Sequence, residues 1–110
     1  MNNLERASVM RILVMLHPTN KRGTKTAYTK LRKFLIADGY LMLQPELFMR
    51  IGTNRKGIEK HLRRIQEFNP GTGVVRILKL TEKQFKSIIY LTGEEDYQEK
   101  NVGNKCCIIS

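Results

Sequence analysis

The side chains of this chain that could do chemistry are few, and most of them are cations. Before Gly93 the carboxylates are Glu5, Asp38, Glu46, Glu59, Glu67 and Glu82. Magnesium needs carboxylate oxygens that converge on one point. None of these is spaced as a pair on adjoining elements: Asp38 closes one amphipathic segment, Glu59 and Glu67 lie on another, and Glu82 stands near a helix start. His17 ends an apolar run and is a competent general base near neutral pH, but it has no identifiable partner, and a structural role is the simpler reading. His61 falls on the charged side of its segment, where a phosphate contact and a solvated ring are both open. Ser87, Cys106 and Cys107 come with no base or oxyanion arrangement. Gly71-Thr72-Gly73 is no phosphate-binding loop, since no Lys-Ser/Thr follows it and it precedes a strand-like run.

The cations form the better constellation. Lys21, Arg22 and Lys25 cluster in a loop and the helix start after it, where free backbone N–H groups would add to a phosphate site. Arg50, Arg55 and Lys56 surround a second loop, and Arg76 and Lys79 share a strand-like run. Clusters of this kind could track a duplex backbone. No recognition motif and no exposed aromatic pair suggests readout of bases. The global charge agrees. The chain carries +10, unevenly placed: up to Thr92 there are 18 Lys and Arg against 6 Asp and Glu, and from Gly93 onward 2 against 4. A basic body with a mildly acidic tail points to a polyanion partner. A membrane surface is disfavoured, because no helix pairs a basic face with a bulky aromatic one.

The elements that must position these groups follow from periodicity. Arg11–Leu16 is a continuous apolar run, long enough for a buried strand and too short for a helix; His17-Pro18-Thr19-Asn20 ends it. Thr24–Asp38 has Ala27, Tyr28, Leu31, Phe34 and Leu35 at helical spacing, with Gly39 as its C-cap. Tyr40–Gln44 and Glu46–Ile51 are β-like, separated by a turn or bulge at Pro45. Asn54 caps a second helix over Arg55–Glu67, with Ile58, Leu62 and Ile65 inward. Asn69–Gly73 is a dense turn. Val74–Leu80 is strand-like with apolar residues on both faces, Thr81 caps a helical turn, and Ser87–Leu91 reads as a further strand. Lys105–Ile109 is a last β-like run after a polar connector.

The order is β-α-β-β-α-β plus extra C-terminal β material, an α+β pattern of the ferredoxin-like kind with both helices on one sheet face. Residues 10–92 form that domain, with an N-terminal extension at 1–9 and a connector and final strand at 93–110. The helices cover one face. The two-sided apolar strands ask for a second cover, and a copy of the same sheet in a two-fold homodimer supplies it. Cys106 and Cys107 are adjacent, so they are poor disulfide partners for each other, and no spaced Cys/His set suits zinc. No stretch reaches the ~20 apolar residues of a membrane span, and MNNLERAS does not read as a secretory signal. The expectation is a cytoplasmic protein with reduced thiols.

Several segments together carry a family resemblance. They are RILVML with Pro-Thr after it, YTKLRKFLIADGYLMLQ, the Arg50-to-Arg64 stretch with its Asn-Arg, and PGTGVVRILKLTEKQFKSIIYLTG. Over about Met10 to Gly93 the chain resembles CRISPR-associated protein 2 in the form found beside type II systems, and LTEKQF followed by an apolar run and Gly is the most specific part. The resemblance implies a ferredoxin-like homodimer whose C-terminal strands complete the partner's sheet. It also implies a part in spacer acquisition, the adaptation step of antiviral defence. There the dimer sits between two dimers of the CRISPR-associated integrase and holds duplex DNA. Many members are described as magnesium-dependent nucleases that use an Asp two residues before the loop Pro. Here that position is Leu16, with Met15 and His17 beside it, and Leu cannot ligate magnesium. The Gln-aromatic-Ser segment of the family is also altered, to Gln44-Pro45-Glu46. The expectation is therefore a scaffold without catalytic residues, metal or other cofactor, contacting DNA through Lys21, Arg22, Lys25, Arg50, Arg55, Lys56, Arg76 and Lys79. The alternatives are a magnesium-dependent endonuclease for RNA or DNA that uses Glu46 or His17 in place of the lost Asp, and an RNA-binding or toxin-like ferredoxin-like module.

Overall fold

In the computed structural model, which describes residues 9–93, the chain runs β1 (Met10–His17), α1 (Thr24–Ala37), β2 (Leu41–Gln44), β3 (Leu47–Gly52), α2 (Arg55–Gln66), β4 (Val74–Thr81) and α3 (Glu82–Lys86). This is an α+β structure. Its four strands form one antiparallel sheet in the order β2-β3-β1-β4. The Cys pair, the Lys105–Ile109 run and the MNNLERAS segment lie outside the described residues.

Strand alternation sends β1 to two cores. Ile12, Val14 and Leu16 meet Tyr28, Leu31 and Leu35 of α1 and Ile58 and Ile65 of α2, which places both helices on one sheet face. Leu13 points the other way, to Met49 and Phe85, with Leu41, Leu43, Leu47 and Leu80 around them. The helices begin and end where local chemistry dictates. The Asn54 side chain accepts the Gly57 N–H at 2.7 Å, satisfying an amide that α2 leaves open. Thr81 and Gln84 form a reciprocal capping box at 2.9 and 3.0 Å, which starts α3 directly from the end of β4. Gly73 adopts φ 70° beside Tyr28 and the His17 carbonyl. A side chain there would collide with both, and glycine alone lets the β4 approach lie against β1.

The expected strand over Ser87–Leu91 does not form. After α3 the chain has no regular structure from Ile88 to Tyr90, and Ile89 and Leu91 stand 87% and 94% exposed. β-propensity makes a strand only beside a neighbour to pair with, and among the described residues no strand pairs with this segment. The second sheet face is covered only in part: α3 lays Phe85 on it, while Val74 and Leu78 remain 40% and 45% exposed.

Candidate nucleic-acid interface

The strand registers fix where the cations lie. At one end of the sheet His17 pairs with Val74, and at the other Met10 pairs with Gly52 and Thr81. Lys21, Arg22 and Lys25 follow the His17 end, all exposed. Arg76, opposite Met15, belongs to the same end. Arg55 and Lys56, exposed on the first turn of α2, belong to the far end. Lys79 lies opposite Ile12 and therefore on the helix-bearing face, whereas Arg76 lies on the other. The structure thus brings Arg76 toward the first loop and separates it from Lys79.

The first loop borders an open basin of about 330 Å³ whose lining includes Lys21, Thr24, Lys25, Tyr28 and Arg32. α1 opens there on Gly23, with no side-chain cap and no acidic residue in its first turn. Thr19, Thr24 and Thr72 bring their hydroxyls within 3.1–3.5 Å of one another, and Tyr28 donates to the Thr72 carbonyl at 2.6 Å. These contacts tie the loop before β4 to the loop after β1. No local signal marks the threonine cluster, because its members are up to 53 residues apart.

Arg50 has a different place. Its Nε donates to His61 Nε2 at 3.0 Å and its Nη1 to the Asp38 carbonyl. His61, expected on the charged side of α2, is instead 6% exposed. Its Nδ1 lies 3.4 Å from Asp38 Oδ2, and Arg64 pairs with the other Asp38 oxygen. Because Nε2 accepts from Arg50, the ring proton belongs on Nδ1, facing Asp38. The cluster joins the end of α1 to β3 and α2. Tyr40 completes it, its hydroxyl buried and its pKa pushed up to about 12, by burial first and then by Asp38.

Burial first and then the Arg50 charge push the His61 pKa below its ordinary value. The neutral ring is therefore the form that fits the fold. The stability this contributes is present above the unfolded value of about 6.5 and is lost as pH falls below it toward the depressed folded value. Denaturation midpoints at fixed protein concentration should fall between pH 8 and pH 5.5, and a His61→Gln variant, whose amide oxygen can still accept from Arg50, should show a flatter profile. Equal slopes for the two proteins would refute the assignment.

At the magnesium site that the resemblance implies, the chain offers Leu16, Glu46 and His17. Leu16 is 6% exposed and belongs to the helix-side core. Both carboxylate oxygens of Glu46 are held by Arg32, Nε to Oε1 at 2.9 Å and Nη2 to Oε2 at 2.7 Å. Glu46 itself has φ 67°, and its carbonyl accepts the Leu16 N–H at 2.9 Å. A left-handed non-glycine residue costs on the order of 1 kcal/mol, and the forked Arg32 grip offsets that strain. Glu46 is therefore a structural tie between α1 and the β2–β3 turn. His17 is exposed at the strand end. Among the described residues no three His, Cys, Asp or Glu side chains gather as a metal group. These residues do not fit a magnesium ion.

The family model described as CRISPR associated protein Cas2 matches residues 10–88. The chain belongs to the Cas2 family. Curated relatives agree over most of its length. It is similar to the CRISPR-associated endoribonuclease Cas2 of Acidovorax ebreus, 40% identical over 84% of this chain and 92% of that one. The protein of the same name from Streptococcus mutans serotype c is 38% identical over 79% and 81%. That from Ligilactobacillus salivarius is 33% identical over 91% and 100%. The resemblance read from RILVML, the Arg50–Arg64 stretch and LTEKQF is thus a family relationship. No helix among the described residues is long and apolar enough to cross a membrane.

Proposed function

We propose that this Cas2-family chain is a non-catalytic, DNA-binding scaffold, a ferredoxin-like homodimer that works with the CRISPR-associated integrase in spacer acquisition. The observation that carries the loss of catalysis is Leu16: a hydrocarbon side chain, buried in the helix-side core, stands where the family's metal-binding Asp belongs. Glu46 does not replace it, since Arg32 neutralises its carboxylate. The β2-β3-β1-β4 order supports the ferredoxin-like reading. Support for the dimer comes from Val74 and Leu78 on the helix-free face and from Ile89 and Leu91 beyond it. Burying a side chain of this size contributes about 1.5–3 kcal/mol, and a second copy could bury all four. A monomer in sedimentation at micromolar concentration would refute the dimer.

The names of the relatives favour a second reading, an endoribonuclease. One experiment separates the two. The protein is mixed with labelled duplex DNA or labelled RNA, with magnesium or chelator, and with or without the integrase. The scaffold reading expects salt-sensitive duplex binding without cleavage, sharpened by the integrase. Magnesium-dependent cutting by the protein alone would establish the enzyme instead. Replacing Lys21, Arg22, Arg76 and Lys79 together by Gln should also reduce the slope of log affinity against log salt, by about 0.9 for each phosphate no longer neutralised. An unchanged slope would remove those residues from the interface.

A further inference from the structure

The outer face of α2 carries charge that the fold does not use, and of it only Lys56 belongs to a loop cluster. Ile58, His61 and Ile65 are the buried side of this helix. On the opposite side stand Lys56, Lys60 and Arg63, all exposed. At 3.6 residues per turn the three fall within an arc of about 60°, and the rise of 1.5 Å per residue spreads them along about 10 Å of helix. The carboxylates that could neutralise them are engaged elsewhere: Asp38 pairs with Arg64, Glu46 with Arg32 and Glu82 with Arg11. Glu59 and Glu67 share the helix and its end. Yet among the described residues no carboxylate is in ion-pair contact with Lys56, Lys60 or Arg63. Lys56 and Lys60 are like charges at i and i+4, a spacing at which they repel.

We infer that Lys56, Lys60 and Arg63 form a backbone contact for duplex DNA on the helix layer, a surface distinct from the first-loop cluster. The inference rests on the DNA-binding reading above and extends it from Lys56, which that reading already includes, to Lys60 and Arg63, which it does not. Topology supplies the continuity. α2 starts beyond the Gly52 end of the sheet and finishes before β4 begins at the His17 end. The stripe therefore runs from the Arg55 end toward the end that bears Lys21, Arg22 and Lys25. Duplex is favoured over single strands because the helix offers cations but no platform for bases. Single-strand binders need exposed aromatic faces. The one imidazole of α2, His61, is buried, and Phe68, just past the helix, gives one ring face to Phe34 with centroids 4.3 Å apart.

The test uses the full chain and a labelled duplex, with affinity measured by anisotropy across a salt series. The triple variant Lys56→Gln, Lys60→Gln, Arg63→Gln alters exposed positions only, and circular dichroism confirms its fold. Its log–log salt slope should fall by about 2.7 for each protomer whose three cations all meet phosphates. Glu67→Lys, one turn beyond Arg63, should steepen the slope by about 0.9. A triple variant with the wild-type slope, while the variant at Lys21, Arg22, Arg76 and Lys79 shows a reduced one, overturns the stripe and leaves the DNA-binding reading intact. Steeper dependence on these residues for single-stranded RNA than for duplex overturns the duplex assignment. A wild-type protein with no salt-dependent duplex binding overturns both readings together.

Discussion

Leu16→Asp should unfold the protein, and should not create a nuclease. The substitution restores the carboxylate of the family pattern, so sequence comparison alone would expect a gain of metal binding. The structure gives the opposite sign. Leu16 is 6% exposed and shares a core with Val14, Tyr28, Leu31 and Leu35, of which all but Leu16 are fully buried. An Asp there would lose the transfer energy of the leucine side chain, leave a cavity, and place a carboxylate among hydrocarbon. The nearby Glu46 carboxylate could not share an ion with it without giving up Arg32. The expected loss is on the order of 4 kcal/mol or more, comparable to the whole stability of a small domain. Leu16→Met, which keeps volume and polarity, should cost under about 1.5 kcal/mol. Urea denaturation of the three proteins at one concentration reads the ranking. A folded Leu16→Asp protein that cleaves RNA or DNA with magnesium would overturn both the burial argument and the scaffold reading.

The parts of this fold that are legible in the sequence are those that local chemistry decides. The α1 stripe of Tyr28, Leu31 and Leu35 repeats within one helix, and Asn54 and Thr81 cap helices through atoms three residues away. The two-sided character of β1 is also visible, because Leu13 and Val14 are neighbours that must point apart. What escapes is decided by contacts between elements. His61 looks like a charged-face residue by its neighbours Lys60 and Arg63, and it is buried because Asp38 and Arg50 come to it from other elements. Arg50 reads as a loop cation until His61 and the Asp38 carbonyl claim its donors. Glu46 looks like a spare carboxylate, and only the fold brings Arg32 to it. Ser87–Leu91 has the composition of a strand, but composition does not supply a partner. At the candidate interface, membership is legible as clusters of cations. Geometry is not: Arg76 and Lys79 share a strand and face opposite ways.

The residue to which the sequence pattern assigns least is expected to show the second large effect. Arg11 opens an apolar strand and is 1% exposed. Its Nε donates to both Glu82 oxygens at 3.1 and 3.2 Å, its Nη1 reaches Met49 Sδ at 3.7 Å, and its guanidinium lies 4.2 Å over the Phe85 ring. One buried cation therefore holds Glu82 and Phe85 of α3 to the start of β1, across 71 positions of sequence. Without it, Phe85 would rely on its packing against Leu13 and Met49 to hold α3 on the helix-free face. Glu82→Gln keeps the shape and removes the countercharge from a desolvated guanidinium. Breaking a buried pair in this way costs on the order of 3 kcal/mol, with some relief because Glu82 is itself 27% exposed. Arg11→Met removes the charge together with its need for a partner, and a flexible thioether can fill much of the same volume. The double variant Arg11→Met, Glu82→Gln should then be more stable than Glu82→Gln alone, with a coupling energy of more than about 1 kcal/mol in a double-mutant cycle. The cycle must be run at one protein concentration, since association would shift every midpoint. Additive effects would mean that the pair adds nothing of its own and that Phe85 alone seats α3. Coupling of the expected sign would mean that the direction in which the chain leaves β4, and with it the place where Ile88 to Leu91 are presented, is set by a charge at the opposite end of the domain sequence.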